Sequence, residues 1–386
     1  MKLKTKLTKI SRNPKKDKGY LNPAIYKGST IIFNDFKSYI KDRNQKDNKG
    51  TGKYGIQFNP TTERFENAIT SLYESTDTVA TPSGLIALTI PFLTFLKKGD
   101  HVLVSDSLYD PTRDFCEKIL KNYGINISYF HSTKNINNFD KLIKKNTKLI
   151  FLESPGTATF DIIDIPLITK IAKKHKIVTV CDNTWATPLF CQPFNLGINI
   201  IIDAGTKYIS GHGDVLLGCI SSDKKHASII RKTIKTLGIC PGSEEAYLTL
   251  RGLPTLFVRM KEIEKNAIHL SSYLNKHPKV SKVYHPALPG FYNHNIWKRD
   301  FSGSSGLFSF TLNKEYSNRK IEKFCKKLKV FKIGYSWGSF ESLITFPFLK
   351  ERFFKNKFMG NLVRIYCGLE DSKDQINDIE RALKIL

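Results

Sequence analysis

Short apolar runs alternate with amphipathic stretches between Thr78 and Ser222. Residues 79–81, 101–104, 148–152, 177–181 and 200–202 read as buried strands, and a further apolar run follows Asp214. Residues 63–73, 86–96, 113–121 and 166–175 carry apolar positions at helical spacing, and Asn59-Pro60 reads as a turn running into the first of these helices. Strand and helix in turn, with short connections, predict a mostly parallel sheet with helices on both faces. Beyond about residue 240 the pattern changes. Met260, Ile263, Ala267, Leu270 and Leu274 mark one long amphipathic helix. Residues 280–285, 306–312 and 362–366 then read as strands of a smaller antiparallel sheet, and Ser372 with Gln375 as a capping box for a last helix. The first 50 residues are polar and basic, with one compact apolar segment at 29–33, and cannot form a core of their own. The expected division is an N-terminal arm (1–57) that must lie on something else, a large domain (58–245) and a C-terminal domain (246–386).

Composition narrows the class. The chain has 386 residues, 40% apolar and 25% charged, as a globular protein does. No apolar stretch reaches membrane-spanning length, and the basic N-terminus lacks the apolar core of a secretory signal, so the expected address is cytoplasmic. The seven cysteines are scattered, without a C-x-x-C pair, so neither a disulfide framework nor a metal site is expected. The net charge of +26 raises the question of nucleic acid. The lysines are spread along the whole length, however, with no basic helix and no RNP-like motif. A solvated lysine-rich surface is the expected reading, and a catalytically idle nucleic-acid binder the minority one.

Candidate chemistry gathers after the strands. Lys207 follows the run at 200–202. Alone it reads as a strand-end lysine whose amine reaches water. Asp182, closing another strand, changes that reading. A Schiff-base lysine and an acid for a pyridinium nitrogen are the pair that pyridoxal phosphate requires. Ser83-Gly84-Leu85 opens a helix and offers backbone N–H groups to a phosphate, with the Thr206 hydroxyl beside Lys207. Tyr109 stands in a loop where it is placed to cover the cofactor ring, although alone it reads as a half-buried loop tyrosine. Arg364 is a charge inside an apolar strand, suited to a substrate carboxylate, with a structural ion pair as the competing explanation.

Ordered blocks then extend this pattern along nearly the whole chain. They include Gly99-Asp100-His101-Val102-Leu103, Phe151-Leu152-Glu153-Ser154-Pro155-Gly156, Asp182-Asn183-Thr184-Trp185-Ala186 and Thr206-Lys207-Tyr208 with Gly211-His212. Later come His285-Pro286-Ala287-Leu288-Pro289-Gly290, Trp297-Lys298-Arg299-Asp300-Phe301, Gly303-Ser304-Ser305-Gly306, Tyr335-Ser336-Trp337-Gly338 and Gly368-Leu369-Glu370-Asp371. On these blocks the chain resembles the pyridoxal-phosphate enzymes of cysteine and methionine metabolism, in the form taken by bacterial cystathionine β-lyases. The resemblance implies an α/β fold of the fold-type I transferase kind, with a mostly parallel seven-stranded sheet and a smaller C-terminal α/β domain. It implies pyridoxal 5'-phosphate and a homotetramer of dimers that share active sites.

Residue by residue, the resemblance makes Lys207 the Schiff-base and proton-shuttling group, Asp182 the pyridine-nitrogen partner and Tyr109 the stacking ring. It gives the phosphate to Ser83, Gly84, Leu85 and Thr206. Tyr54 is expected to enter a neighbour's site, and Arg364, Tyr335, Ser336, Trp337 and Asn183 to meet the substrate. Relatives acting at the γ-carbon commonly carry Glu where Tyr335 stands, so Tyr335-Ser336-Trp337-Gly338 points to β-elimination of L-cystathionine, in methionine biosynthesis by trans-sulfuration. A cysteine desulfhydrase, a γ-lyase and an amino-acid racemase are the alternatives. One departure stands out: the family's Tyr-Gly-Arg is Tyr54-Gly55-Ile56 here, and Gln57 or Lys53 is the candidate replacement for the missing phosphate-binding cation.

Overall fold

A computed structural model describes residues 1–44, 54–132, 136–355 and 357–386. The first sheet contains β1 (Asp77–Thr81), β2 (His101–Ser105), β3 (Asn126–Phe130), β4 (Thr147–Glu153), β5 (Val178–Asp182), β6 (Ile200–Asp203) and β7 (Gly218–Ser222). Their order across the sheet is β1-β7-β6-β5-β4-β2-β3. The neighbours from β6 to β3 are parallel, while β7 runs antiparallel to both β6 and β1. The mixed α/β class with a mostly parallel seven-stranded sheet is therefore the fold observed. Successive residues of its strands enter two different apolar clusters, Val102 and Val104 one, Leu103 the other. Burial on both faces explains why these strands read as continuous apolar runs.

A second sheet has β8 (Val280–Tyr284), β9 (Leu307–Leu312), β10 (Lys332–Ile333), β11 (Leu343–Thr345) and β12 (Leu362–Tyr366), in the order β10-β11-β12-β9-β8. It has its own apolar cluster, in which Leu270 and Leu274 of the long helix Leu256–Leu274 meet Phe308, Phe310 and Ile365.

Several local expectations are corrected. Strand β3 adds to those the periodicity predicts; as an edge strand with a half-exposed face it lacks a full apolar run. The helix expected over 113–121 is a short α-helix, Asp110–Phe115, continued by a π-turn, Cys116–Leu120. The smaller sheet is not wholly antiparallel, since β10 pairs with β11 in parallel. The last helix, Ser372–Leu383, is capped by Asp371, whose carboxylate accepts the Lys373 N–H; Gln375 turns inward to the Ser342 hydroxyl instead. By contrast, the helix start expected at Asn59-Pro60 is present, with the Asn59 side-chain oxygen accepting the N–H groups of Thr61 and Thr62.

The strand directions decide where ligands go. β2, β3, β4, β5 and β6 all end on one edge, and β1, antiparallel to β7, ends there too. The order reverses between β2 and β4, so the loops that follow these two strands diverge and leave a crevice.

Candidate active site

The crevice is built from strand ends. After β1, the Ser83 hydroxyl oxygen accepts the Ile86 N–H at 3.2 Å and starts the helix Gly84–Phe95. The first N–H groups of a helix have no acceptor within it, so Gly84 and Leu85 present theirs outward. A Cβ at Gly84 would come within 2.7 Å of the Ala204 Cβ. Only glycine permits that approach, which places the helix start against the turn that carries Thr206 and Lys207. The Thr206 hydroxyl donates to the Leu217 carbonyl at 3.1 Å and accepts the Leu217 N–H at 2.9 Å, so serving a phosphate requires its proton to rotate.

Lys207 sits in the turn after β6. Its amine donates to the Ser336 hydroxyl at 2.6 Å and lies 5.3 Å from the Trp337 ring centre. The loop bearing these partners bends through positive φ at Ser336 (85°) and Gly338 (92°). At Gly338 a Cβ would stand 2.9 Å from the Lys207 backbone. Burial lowers the Lys207 pKa to about 8; the positive charge of Arg364 adds to the effect and Asp182 opposes it.

Asp182 ends β5. One of its oxygens accepts both the Thr184 N–H (2.9 Å) and the Thr184 hydroxyl (2.5 Å). Burial raises its pKa, while Thr184 and Lys207 pull it back. A cationic N–H placed against this carboxylate would favour its charged form. Glu153 is its neighbour in register on β4. The Glu153 carboxylate accepts the Tyr109 N–H and the Thr157 hydroxyl, each at 2.5 Å. Burial, and then the charge of Asp182, push Glu153 well above the usual carboxylate range. Both acids close apolar runs in the sequence, yet only Asp182 carries a cofactor role in that pattern; the signal for Glu153 was its matching place at a strand end.

Tyr109 stands at the head of the crevice, 43% exposed, with its pKa raised by burial and then by Glu153. It therefore keeps its proton at neutral pH. Arg364, on β12 of the second sheet, reaches the same space: its charge acts on both Lys207 and Tyr109. Burial lowers its pKa. Among the described residues its guanidinium has no hydrogen-bond partner and no ion pair, although the charge of Asp110 acts on it from beyond ion-pair distance. Tyr335 is 91% exposed at the mouth, within electrostatic reach of Arg364.

Two expected residues stand apart. Asn183 is 1% exposed and spends its amide N–H groups on Tyr73, the Thr187 carbonyl and the Cys191 carbonyl. It holds the turn beneath Asp182 rather than facing the opening. Tyr54 is 51% exposed and bridged through its backbone to Thr30, outside the group around Lys207. Ile56 lies with Arg231 and Ile239 on the flank of the sheet, Gln57 donates its N–H to the Tyr54 carbonyl, and Lys53 lies outside the described residues. No cluster of His, Cys, Asp or Glu suited to a metal occurs among the described residues.

The arrangement fits a phosphorylated aldehyde cofactor. It combines an amine of lowered pKa, a buried carboxylate, a helix start whose glycine admits close approach, and an unpaired guanidinium.

Comparison with known proteins agrees. A protein of Wolbachia pipientis wMel named as an L-alanine/L-glutamate racemase is 38% identical over 395 residues, covering 99% of this chain and 97% of its own. The cystathionine beta-lyase MetC of Escherichia coli K12 is 34% identical over 389 residues, covering 98% and 97%. The crystal structure of metB from Corynebacterium glutamicum superposes with a TM-score of 0.90 at 28% identity, covering 100% of this chain and 98% of that one. Residues 4–384 match the family described as Cys/Met metabolism PLP-dependent enzyme. With a lysine, an acid and an open helix start meeting at one sheet edge, this chain belongs to the Cys/Met metabolism family of enzymes, and pyridoxal 5'-phosphate is its cofactor.

Proposed function

We propose that the protein catalyses β-elimination of L-cystathionine, giving homocysteine, pyruvate and ammonia. The observation that carries this reading is the Lys207 amine, held by Ser336 at 2.6 Å, with a pKa of about 8 beside an unpartnered Arg364. In this reading the Gly84 and Leu85 N–H groups and Thr206 hold the cofactor phosphate, Asp182 its ring nitrogen and Tyr109 its face. Bound, the cofactor supplies an electron sink for charge developing at the substrate Cα.

Arg364 clamps the α-carboxylate by two parallel hydrogen bonds. That fixes the Cα–H bond relative to Lys207, and the lowered pKa leaves a useful fraction of the amine neutral to take the proton. The Cβ–S bond then breaks, its electron pair leaving on sulfur, and the same amine returns the proton to the thiolate. One water enters as the three-carbon fragment leaves as pyruvate and ammonia. Trp337 and Tyr208, with ring centres 5.2 Å apart, form an apolar wall beside Lys207 that limits water there. Following pyruvate formation from L-cystathionine tests the reaction; holoenzyme that releases none disproves it.

A second reading, amino-acid racemisation, draws on the similarity to the Wolbachia racemase and on Tyr109, a second group in the crevice that keeps its proton. A proton removed by one group and returned by another inverts Cα. Incubation with L-alanine and L-glutamate, followed by chiral chromatography, separates the two readings.

An assembly belongs to the same reading. Tyr20, Leu21, Tyr26, Ile32 and Phe36 of the arm are exposed apolar residues that a neighbouring subunit would cover, bringing Tyr54 to that subunit's site in a tetramer. The chain then divides as arm, large domain (58–245) and C-terminal domain (246–386), at a cytoplasmic address. Among the described residues no helix is long and apolar enough to cross a membrane.

A further inference from the structure

The connection between β11 and β12 does more than join two strands. Part of it crosses to the first sheet and lies over the loops after β2 and β4. The Phe353 and Phe354 N–H groups donate to the two Asp106 carboxylate oxygens, each at 2.9 Å. Asp106 also receives Arg113, at 2.8 Å. Beside this anchor Arg352 is 4% exposed. It donates one nitrogen to the Thr159 hydroxyl at 2.8 Å and another to the Thr157 carbonyl.

Thr157 connects this arginine to the crevice. Its N–H donates to the Ser107 carbonyl at 2.6 Å, and its hydroxyl donates to Glu153 at 2.5 Å. The other Glu153 oxygen holds the Tyr109 N–H at 2.5 Å. A continuous path of hydrogen bonds thus runs from Arg352 through Thr157 and Glu153 to the backbone of Tyr109. Every intermediate residue is buried or half-buried, where such bonds are strong and geometry is tightly held.

We propose that Arg352 is a positioning residue, which reaches across from the second sheet and, through Thr157 and Glu153, sets Tyr109 against the face of the cofactor. The proposal rests on the reading of Tyr109 as the ring-facing residue. The charges of Asp161, Asp106, Asp110 and Glu153 act on the Arg352 guanidinium, so part of its role is to balance them, but charge balance alone does not account for its geometry. Its Nε is buried without a partner among the described residues, a cost that an ammonium placed among the same acids would avoid. What an ammonium could not do is span the Thr157 carbonyl and the Thr159 hydroxyl together. The connection that carries Arg352 also leads into β12, which carries Arg364. Contact with the substrate carboxylate and placement of the ring-facing tyrosine are therefore linked through one segment of chain.

The test uses the holoenzyme of Arg352→Ala, Arg352→Lys and Thr157→Val, with Tyr109→Ala as the reference. Four quantities are read: bound cofactor, visible circular dichroism of the cofactor, kcat/KM with L-cystathionine, and the thermal midpoint. The expected result for Arg352→Ala is full cofactor content, a lowered midpoint that still leaves the protein folded at the assay temperature, a dichroism band altered toward that of Tyr109→Ala, and kcat/KM of the folded protein lower by roughly 10- to 100-fold, the scale set by small misplacements. Thr157→Val, which removes only the bond to Glu153, should alter the band in the same direction. Arg352→Lys should recover little, because one ammonium cannot make the forked contact. A native band with kcat/KM within about twofold of wild type in Arg352→Ala, well short of the misplacement scale, overturns the proposal, as does an activity loss that merely follows the thermal midpoint. If Tyr109→Ala itself leaves the band unchanged, the reading of Tyr109 fails and the proposal with it. If that variant alters the band and Arg352→Ala does not, only the positioning role is lost.

Discussion

Two enclosed arginines, one against the first sheet and one on a strand of the second, show how burial can serve different ends. Arg231 lies between β1 and the helix Pro60–Tyr73. It donates to both oxygens of Asp77 (2.5 and 2.9 Å), to Glu66 (2.9 Å) and to the Thr78 carbonyl (2.8 Å). Its charge is matched, and its pKa is raised despite burial. Arg364 is also largely enclosed, yet has no hydrogen-bond partner among the described residues, and its pKa is lowered. The first cluster is complete without a ligand. The second, together with Lys207, leaves its cation unmatched among the described residues, where the proposed function places the substrate carboxylate. Removing a member should therefore cost stability in one place and turnover in the other.

The largest effect should come from Lys207→Ala. Loss of this amine should lower turnover by more than about 10³-fold, at the upper end of acid–base contributions, and abolish the visible band of the bound cofactor. Normal pyruvate release from this variant would falsify the assignment of the site. Arg231→Ala should act in the opposite manner. It leaves Glu66 and Asp77 buried without their cation, so denaturant unfolding should show a loss of about 3–5 kcal/mol, while kcat of the folded fraction is unchanged. Unaltered stability would mean that the two clusters are not different in kind.

Arg364→Lys keeps the charge and loses the fork. The expected change is a fall in kcat/KM for L-cystathionine equivalent to about 1.5–3 kcal/mol, with no loss of thermal midpoint, since no protein partner is orphaned. A lowered midpoint instead would reveal a structural role. Lys207 gives a finer comparison within one residue type. Its pKa is depressed, so its neutral form is populated at lower pH than in an ordinary lysine. In cofactor-free protein an amine-reactive label should modify Lys207 with a half-point near pH 8, below the ordinary lysine value of about 10.4; coincident half-points would contradict the buried setting. Ser336→Ala should have the smallest effect, on the order of 1 kcal/mol in kcat/KM, through loss of one hydrogen bond that aims the amine.

Most of the first sheet is legible from periodicity because burial on both faces makes its strands apolar throughout. Edge and short strands escape for the converse reason: β3 has a half-exposed face, and β10 is two residues long. Asn183 shows the limit of a role implied by resemblance alone. It follows Asp182 directly, but the turn after β5 buries its amide against Tyr73. Arg352 shows the opposite failure. It lies in a polar stretch, Leu349-Lys350-Glu351-Arg352, that looks like any solvated segment, yet it is buried against the loops after β2 and β4.

Local chemistry in the sequence was enough to determine the alternation of strands and helices, the pairing of Lys207 with Asp182, and the family to which such blocks belong. These follow from burial pattern and from residue types that a single strand end or helix start already constrains. The sequence could not decide which charges find partners. Arg231 and Arg364 are the same residue in amphipathic or apolar surroundings, and Glu153 and Asp182 are both strand-terminal acids. Whether a charge is satisfied depends on groups far away along the chain, brought within hydrogen-bonding distance only when the sheets assemble, and it is that condition which separates the scaffold from the site.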